Sequence, residues 1–238
     1  MTVIIKNPLL RWLSHSFGVA NLISVGRMFF AFAVLACVFP PLASQPDAFT
    51  YAFWGTVLVI WADGWDGYAA RALGESSPAG AVIDILSDRV VELAYWVSFA
   101  VLGWVPVWVP LVVLTRGIWV DGLRALALQE GFTAFGSSSL MQSWWGVLLV
   151  SSRFSRWTYA VAKAVVFALL IWQHAPSDVW FGLCATPTQL AWLAPLNTAL
   201  VGITVSFCLL RGIPVLIEGR RFFSRPIRAC DEGHSPSQ

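Results

Sequence analysis

The sequence predicts an all-α polytopic membrane protein, with six transmembrane helices preceded by an N-terminal interfacial amphipathic helix. Three observations carry that expectation. Of the 238 residues, 58% are hydrophobic and 12% charged, with a mean hydropathy of +0.70, whereas soluble domains are about half apolar and a quarter charged. Six apolar stretches, near residues 21–40, 50–73, 80–103, 106–130, 155–174 and 189–212, are each long enough to cross about 30 Å of hydrocarbon as a helix. The basic residues also alternate between connections. Lys6, Arg11, Arg27, Arg71, Arg89, the residues from Arg116 to Lys163, and those from Arg211 to Arg228 fall on one side. The connections near 41–49, 103–106 and 175–188 hold Asp47 and Asp178 but no Lys or Arg. Positive loops stay in the cytoplasm, so both termini and the polar ends of spans two and three are expected there.

Taken in order, residues 1–20 set Lys6 and Arg11 among Ile4, Ile5, Leu9, Leu10, Trp12, Leu13 and Phe17, the pattern of a helix lying in the interface. A small-residue cleavage site after a clean apolar run is missing, so this is not read as a signal peptide. Residues 21–215 form one six-span domain without internal repeat. Pro40-Pro41, the Gly103 to Pro110 stretch, Ala175-Pro176 and Pro187 punctuate it, and the turn from Gly74 to Pro78 makes spans two and three antiparallel neighbours. Residues 216–238 form a basic, then polar, cytoplasmic tail, with Arg220, Arg221, Arg225 and Arg228 placed to meet anionic headgroups. A compact chain of this kind suits a prokaryotic inner membrane.

Composition also excludes some functions. A net charge of +2 with scattered basic residues offers no footprint for nucleic acid. The four cysteines lie in separate segments, without the spacing of a zinc site or disulfide framework. The fourteen tryptophans gather near span ends, where they act as interfacial anchors. His15 and His174 have no metal-spaced partners.

The chemistry lies in the carboxylates. Span two ends in Trp61-Ala-Asp63-Gly-Trp-Asp66-Gly67-Tyr-Ala-Ala70-Arg71, which puts two acids and two small residues along one helical face. Span three opens with Gly80, Asp84 and Asp88 at four-residue steps, again one face. An ionisable residue inside a span costs about 2.5–3.5 kcal/mol, so four unpaired aspartates would forfeit roughly 10 kcal/mol. Hard oxygen ligands suit Mg²⁺, Mn²⁺ or Ca²⁺. Two such ions sharing carboxylates can stabilise both the attacking and the leaving oxygen of a displacement at phosphorus. Gly67, Ala70 and Gly80 let the helices approach closely and leave room for a bulky ligand.

The full string, Asp63-x2-Asp66-Gly67-x2-Ala70-Arg71-x8-Gly80-x3-Asp84-x3-Asp88, resembles at every fixed position the signature of the CDP-alcohol phosphotransferase, or CDP-alcohol phosphatidyltransferase, family. The resemblance implies a six-span fold, a homodimer, and a cytoplasm-facing cavity for a CDP-linked lipid and two divalent cations. Mg²⁺ or Mn²⁺ would be productive there, and Ca²⁺ a non-productive occupant. By the resemblance, Asp63, Asp66, Asp84 and Asp88 are metal ligands and Asp88 is also the general base. Gly67, Ala70, Arg71 and Gly80 shape or contact the CDP part, and Asn21, Ser24 and Ser77 fall where the family contacts the nucleotide or pyrophosphate. The acceptor hydroxyl then attacks the β-phosphorus of CDP-diacylglycerol and CMP leaves.

For the acceptor, Arg116 and Arg124 lie two four-residue steps apart on span four, and Arg153 and Arg156 precede span five. Together they are candidates for a pocket around a phosphorylated polyol, against the plainer reading of positive-inside anchors. The Arg-x4-Asp-Gly-Leu-Arg stretch and the opening Asn-Leu-Ile-Ser-x2-Arg resemble the phosphatidylglycerophosphate synthase branch, whose acceptor is glycerol 3-phosphate. Inositol phosphate is the close competitor. The stretch from Gly136 to Arg153 is expected to be an interfacial helix or a lid. A cation transporter is the rival of another class. Its acids would be expected near the midplane, among broken helices and repeats.

Overall fold

The computed structural model describes residues 19–45, 47–73, 78–129, 143–176 and 192–220, and it is all-α. In chain order these residues form α1 (Val19–Ala36), a 3₁₀ turn (Leu42–Ser44), α2 (Ala48–Leu73), α3 (Pro78–Val101) and α4 (Trp108–Gln129). There follow α5 (Trp144–Gly146), which continues as a π-helical turn (Val147–Ser151), then α6 (Arg153–Gln173) and α7 (Leu193–Gly219). The six long helices coincide with the six apolar stretches. The expected N-terminal amphipathic helix, and the tail beyond Arg220, lie outside the described residues.

The helix ends differ from the sequence expectation in two informative places. Helix α1 stops at Ala36, four residues short, because Pro40 and Pro41 disfavour α geometry upstream. The chain there tightens into i→i−3 bonds from Cys37, Val38 and Phe39 to Val34, Leu35 and Ala36. Helix α7 runs on to Gly219, past Pro214, which cannot donate to the carbonyl of Leu210. Close packing on α4 accompanies this continuation. A Cβ on Gly212 would come within 2.9 Å of Arg116 Cγ, and one on Gly219 within 2.8 Å of Leu123 Cδ1. Two glycines a heptad apart thus bring the helices together.

Phe154–Gln173 and Leu193–Gly219 are long and apolar enough to cross a membrane by length and composition, and Asn21–Ala36 and Ala48–Ala62 are shorter apolar segments. Helices α3 and α4 are interrupted by charge: Asp84, Asp88, Arg89 and Glu92 on one, Arg116, Asp121 and Arg124 on the other.

Packing pairs α1 with α2 and α3, α2 with α6, α3 with α4, α4 with α7, and α6 with α7. Ala31, Val34 and Leu35 form the inward stripe of α1, continuing from Ser24 and Arg27 and on to Val38 in the turn that follows. Gly55 of α2 meets it so closely that a Cβ would lie 2.6 Å from Val34 Cγ2. At mid-bundle the buried Tyr95 hydroxyl lies 3.0 Å from Thr56 Oγ1, which donates to the carbonyl of Ala52 at 2.7 Å. A hydroxyl has one proton to give, so Tyr95 is the donor and α3 is tied to α2.

One end of the bundle is aromatic. Phe167 stacks on Tyr95 at 4.8 Å and meets Trp96 edge-on at 5.0 Å, while Trp104 stacks on Phe99 at 5.3 Å and on His174 at 4.4 Å. The turn after α3 follows from Gly103, whose φ of +75° is left-handed. Its N–H bonds to Ala100 O at 3.1 Å and that of Trp104 to Phe99 O at 2.8 Å, the paired bonds of a Schellman cap. The Phe99–Trp104 stack is the apolar contact that accompanies such a cap.

Candidate active site

The other end is polar, and α3 supplies its first wall. Gly80, Asp84, Asp88 and Glu92 succeed one another at four-residue steps, so one stripe of α3 faces a single space. Asp84, Asp88 and Glu92 line a cavity of about 350 Å³. Arg116 and Arg124 enter it from α4, Arg156, Tyr159 and Lys163 from α6, and Arg211 from α7. A second lobe of about 390 Å³ shares Asp88, Glu92, Arg156, Tyr159 and Lys163, and adds Arg27 together with the apolar wall of Val59, Ile60, Val91 and Phe167.

The charges are organised in three groups. Arg27 Nη2 donates to Asp88 Oδ1 at 2.5 Å, with Arg27 5% exposed and Asp88 47% exposed. One carboxylate oxygen is therefore held while the group stays open to the cavity. Glu92 is buried and accepts the Tyr159 hydroxyl at 2.7 Å on Oε1. Its Oε2 faces Lys163 Nζ at 3.1 Å and Arg89 Nη1 at 3.5 Å. Asp121 takes two hydrogen bonds from Arg89, at 2.9 and 3.3 Å, and has Arg124 at 3.8 Å.

Arg116 and Arg211 are different. Both are buried, at 9% and 8% exposure, and the Nε of each has no hydrogen-bond partner among the described residues. Buried cations of like sign around one cavity are costly without a counter-charge. An anion supplies it, and a guanidinium pair is suited to phosphate.

The sequence candidates distribute as follows. Asp84 and Asp88 share the cavity with Arg116, Arg124 and Arg156. Asn21 and Ser24 lie in the first two turns of α1, one turn before Arg27, and Gly80 lies in the first turn of α3. Residues 63, 66, 67, 70 and 71 lie in the last turns of α2, where the described residues include the backbone and not the side chains of Asp63, Asp66, Gly67, Ala70 and Arg71. The Arg153 side chain and all of Ser77 are likewise outside the described residues. Arg89 bridges Asp121 and Glu92.

Among the described residues, no three His, Cys, Asp or Glu side chains gather as a metal cluster. The donor set does fit Mg²⁺ or Mn²⁺, since Asp84 and Asp88 are hard-oxygen ligands on one face. Mg²⁺ is commonly held by one or two carboxylates with substrate phosphates and water.

The CDP-alcohol phosphatidyltransferase family model matches residues 17–217, most of the chain. The chain belongs to the CDP-alcohol phosphatidyltransferase family. It is an integral membrane protein on the strength of that membership and its apolar helices. A Mycobacterium tuberculosis protein with the provisional name cardiolipin synthase is 30% identical over 119 residues, covering 49% of this chain and 53% of that protein. A second, provisionally named phosphatidylglycerophosphate synthase, is 32% identical over 69 residues, 29% and 33% of the two chains. The Homo sapiens CDP-diacylglycerol–inositol 3-phosphatidyltransferase is 33% identical over 84 residues, 35% and 36% of the two. The chain spans about half the length of the first of these relatives and about a third of the others.

Sequence reasoning missed four participants. Arg27 stood in the opening motif, but its pairing with Asp88 spans 61 positions. Glu92 is the next step of the ladder 80, 84, 88, and extending that period by one turn finds it. Lys163 and Arg211 carried a weaker signal, as cations inside apolar stretches.

Proposed function

We propose that this chain transfers the phosphatidyl group of CDP-diacylglycerol to a hydroxyl of a phosphorylated polyol, glycerol 3-phosphate first among them, with release of CMP. The observation that carries the reading is the single cavity in which Asp84 and Asp88 meet the buried pair Arg116 and Arg211. Carboxylates suit the divalent cations of the pyrophosphate, and buried guanidiniums suit the acceptor's phosphate.

On this reading Asp63, Asp66, Asp84 and Asp88 would hold two Mg²⁺ or Mn²⁺ ions, whose charge would neutralise the pyrophosphate. Gly67, Ala70, Arg71 and Gly80, with Asn21, Ser24 and Ser77, receive the CDP part. Asp88, steadied by Arg27 on one oxygen, takes the proton of the acceptor hydroxyl. The acceptor oxygen forms a bond to the β-phosphorus as the bond to the bridging oxygen breaks, and CMP carries that oxygen away. Arg116, Arg211, Arg156, Arg124 and Arg153 serve the acceptor phosphate. The six long helices span the membrane of a homodimer, with the polar end and both termini cytoplasmic. Arg27, Arg89, Arg116, Arg124, Arg156, Lys163 and Arg211 line the cavities of that end, which supports this orientation.

One observation favours a second acceptor. An apolar groove of about 620 Å³ between α4 and α7 shares Arg116 with the polar cavity. A lipid acceptor such as phosphatidylglycerol could lay an acyl chain there, in keeping with the cardiolipin synthase name of one relative. The test is CMP release by purified protein with CDP-diacylglycerol and Mg²⁺ or Mn²⁺, offering glycerol 3-phosphate, inositol phosphate, inositol and phosphatidylglycerol separately. Release with glycerol 3-phosphate is the expected result. Release with another acceptor keeps the chemistry and corrects the alcohol, and none with any of the four would overturn the reading.

A further inference from the structure

Glu92 is a buried acid in a cavity whose other function is to attract anions, and the reading above gives it no part. Its neighbours do. Lys163 Nζ lies 3.1 Å from one oxygen and the Tyr159 hydroxyl donates to the other at 2.7 Å. The Tyr159 ring in turn has Lys163 at 4.6 Å and Arg211 at 5.3 Å from its centroid. Tyr159 thus stands beside both cations, and Glu92 pins it by its hydroxyl while holding Lys163 by charge.

The cations of the cavity then sort themselves. Asp121 engages Arg89 and Arg124, and Glu92 engages Lys163. Arg116 and Arg211 keep a buried Nε with no hydrogen-bond partner among the described residues. Lys163 lines the cavity of Arg116 and Arg211 and also the lobe that holds Arg27 and Asp88, which Arg116 and Arg211 do not line. A phosphate drawn to Lys163 would occupy the neighbourhood of Asp88, where an acceptor hydroxyl has to sit. We propose that Glu92 is a specificity-determining, positioning residue: it withdraws Lys163 from the anion and leaves the acceptor's phosphate to the arginine cluster centred on Arg116 and Arg211. The proposal rests on the reading of this cavity as an acceptor-phosphate site.

Inorganic phosphate is the probe, and the full chain in detergent is titrated with it while thermal unfolding is followed. Glu92→Gln keeps an acceptor for the Tyr159 hydroxyl but releases Lys163, so phosphate should bind about tenfold tighter, equivalent to about 1.4 kcal/mol. The gain should vanish in the Glu92→Gln, Lys163→Met double variant. Lys163→Met alone should leave phosphate affinity within about twofold, whereas Arg116→Leu or Arg211→Leu should weaken it by about tenfold or more. In turnover, Glu92→Gln should lower the acceptor KM and lower kcat together, a split that loss of packing would not produce.

Unchanged or weaker phosphate binding by Glu92→Gln overturns the proposal, as does a gain that survives removal of Lys163. Should Glu92→Gln not fold, Lys163→Met decides alone: a loss as large as that of Arg116→Leu overturns it. A wild-type chain that binds phosphate in this pattern yet releases no CMP would sink the transferase reading and leave Glu92's role standing. A chain that binds no phosphate refutes Glu92's role directly.

Discussion

The two ends of the bundle are built from the same six long helices and solve opposite problems. At the aromatic end, Phe99, Trp104, Phe167 and His174 stack face to face or edge to face, and the turn is closed by its own backbone bonds. At the polar end, Asp88, Glu92 and Asp121 are each held by cations from other helices, and Arg116 and Arg211 each keep a buried Nε without a hydrogen-bond partner among the described residues. The first end is closed by ring packing and backbone bonds. The second is complete only with ligands. Stability should therefore reside disproportionately at one end and chemistry at the other, and substitutions can separate them.

The largest expected effect is at Asp88. Asn is isosteric and keeps an oxygen for Arg27 but cannot take a proton, so CMP release should fall by about 10²–10⁴. The thermal transition should shift little. If Asp88→Asn kept wild-type turnover, the proton would have another acceptor and the division between the ends would be wrong. Next comes Phe167→Ala at the aromatic end. Removing a ring that touches Tyr95, Trp96 and Phe99 should cost about 3–5 kcal/mol, read as a lower unfolding temperature. Because Phe167 also forms the floor of one lobe, a drop in turnover larger than the loss of folded protein would show that the ends are coupled there. The smallest is Gly103→Ala, which forces a side chain into left-handed geometry at about 1–2 kcal/mol. Acceptor KM measured on the folded fraction should not move, and a change in KM would join the far turn to the site.

Local pattern made most of this legible. Apolar length marked the helices, and the four-residue step of Asp84 and Asp88 placed both on one wall of the cavity. What stayed hidden was pairing across the chain: Arg27 with Asp88, Arg89 with Asp121, Lys163 with Glu92. Periodicity says which face a residue occupies and is silent on which helix lies opposite. The helix ends near Pro40 and Gly219 departed from hydropathy for a similar reason, since local backbone sterics set the first and contact with α4 accompanies the second.

Arg116 lines both the apolar groove and the polar cavity. The groove between α4 and α7 that flanks it is walled by Trp108, Trp119, Leu209, Ile213 and Leu216. On the proposed function, an inhibitor in this groove has no need to compete with a nucleotide in the charged cavity. An amphiphile that partitions into the bilayer can reach the same arginine from the hydrocarbon side, with an acidic head to engage it. At Gly212, where a Cβ would come within 2.9 Å of Arg116 Cγ, any larger side chain would disturb that approach.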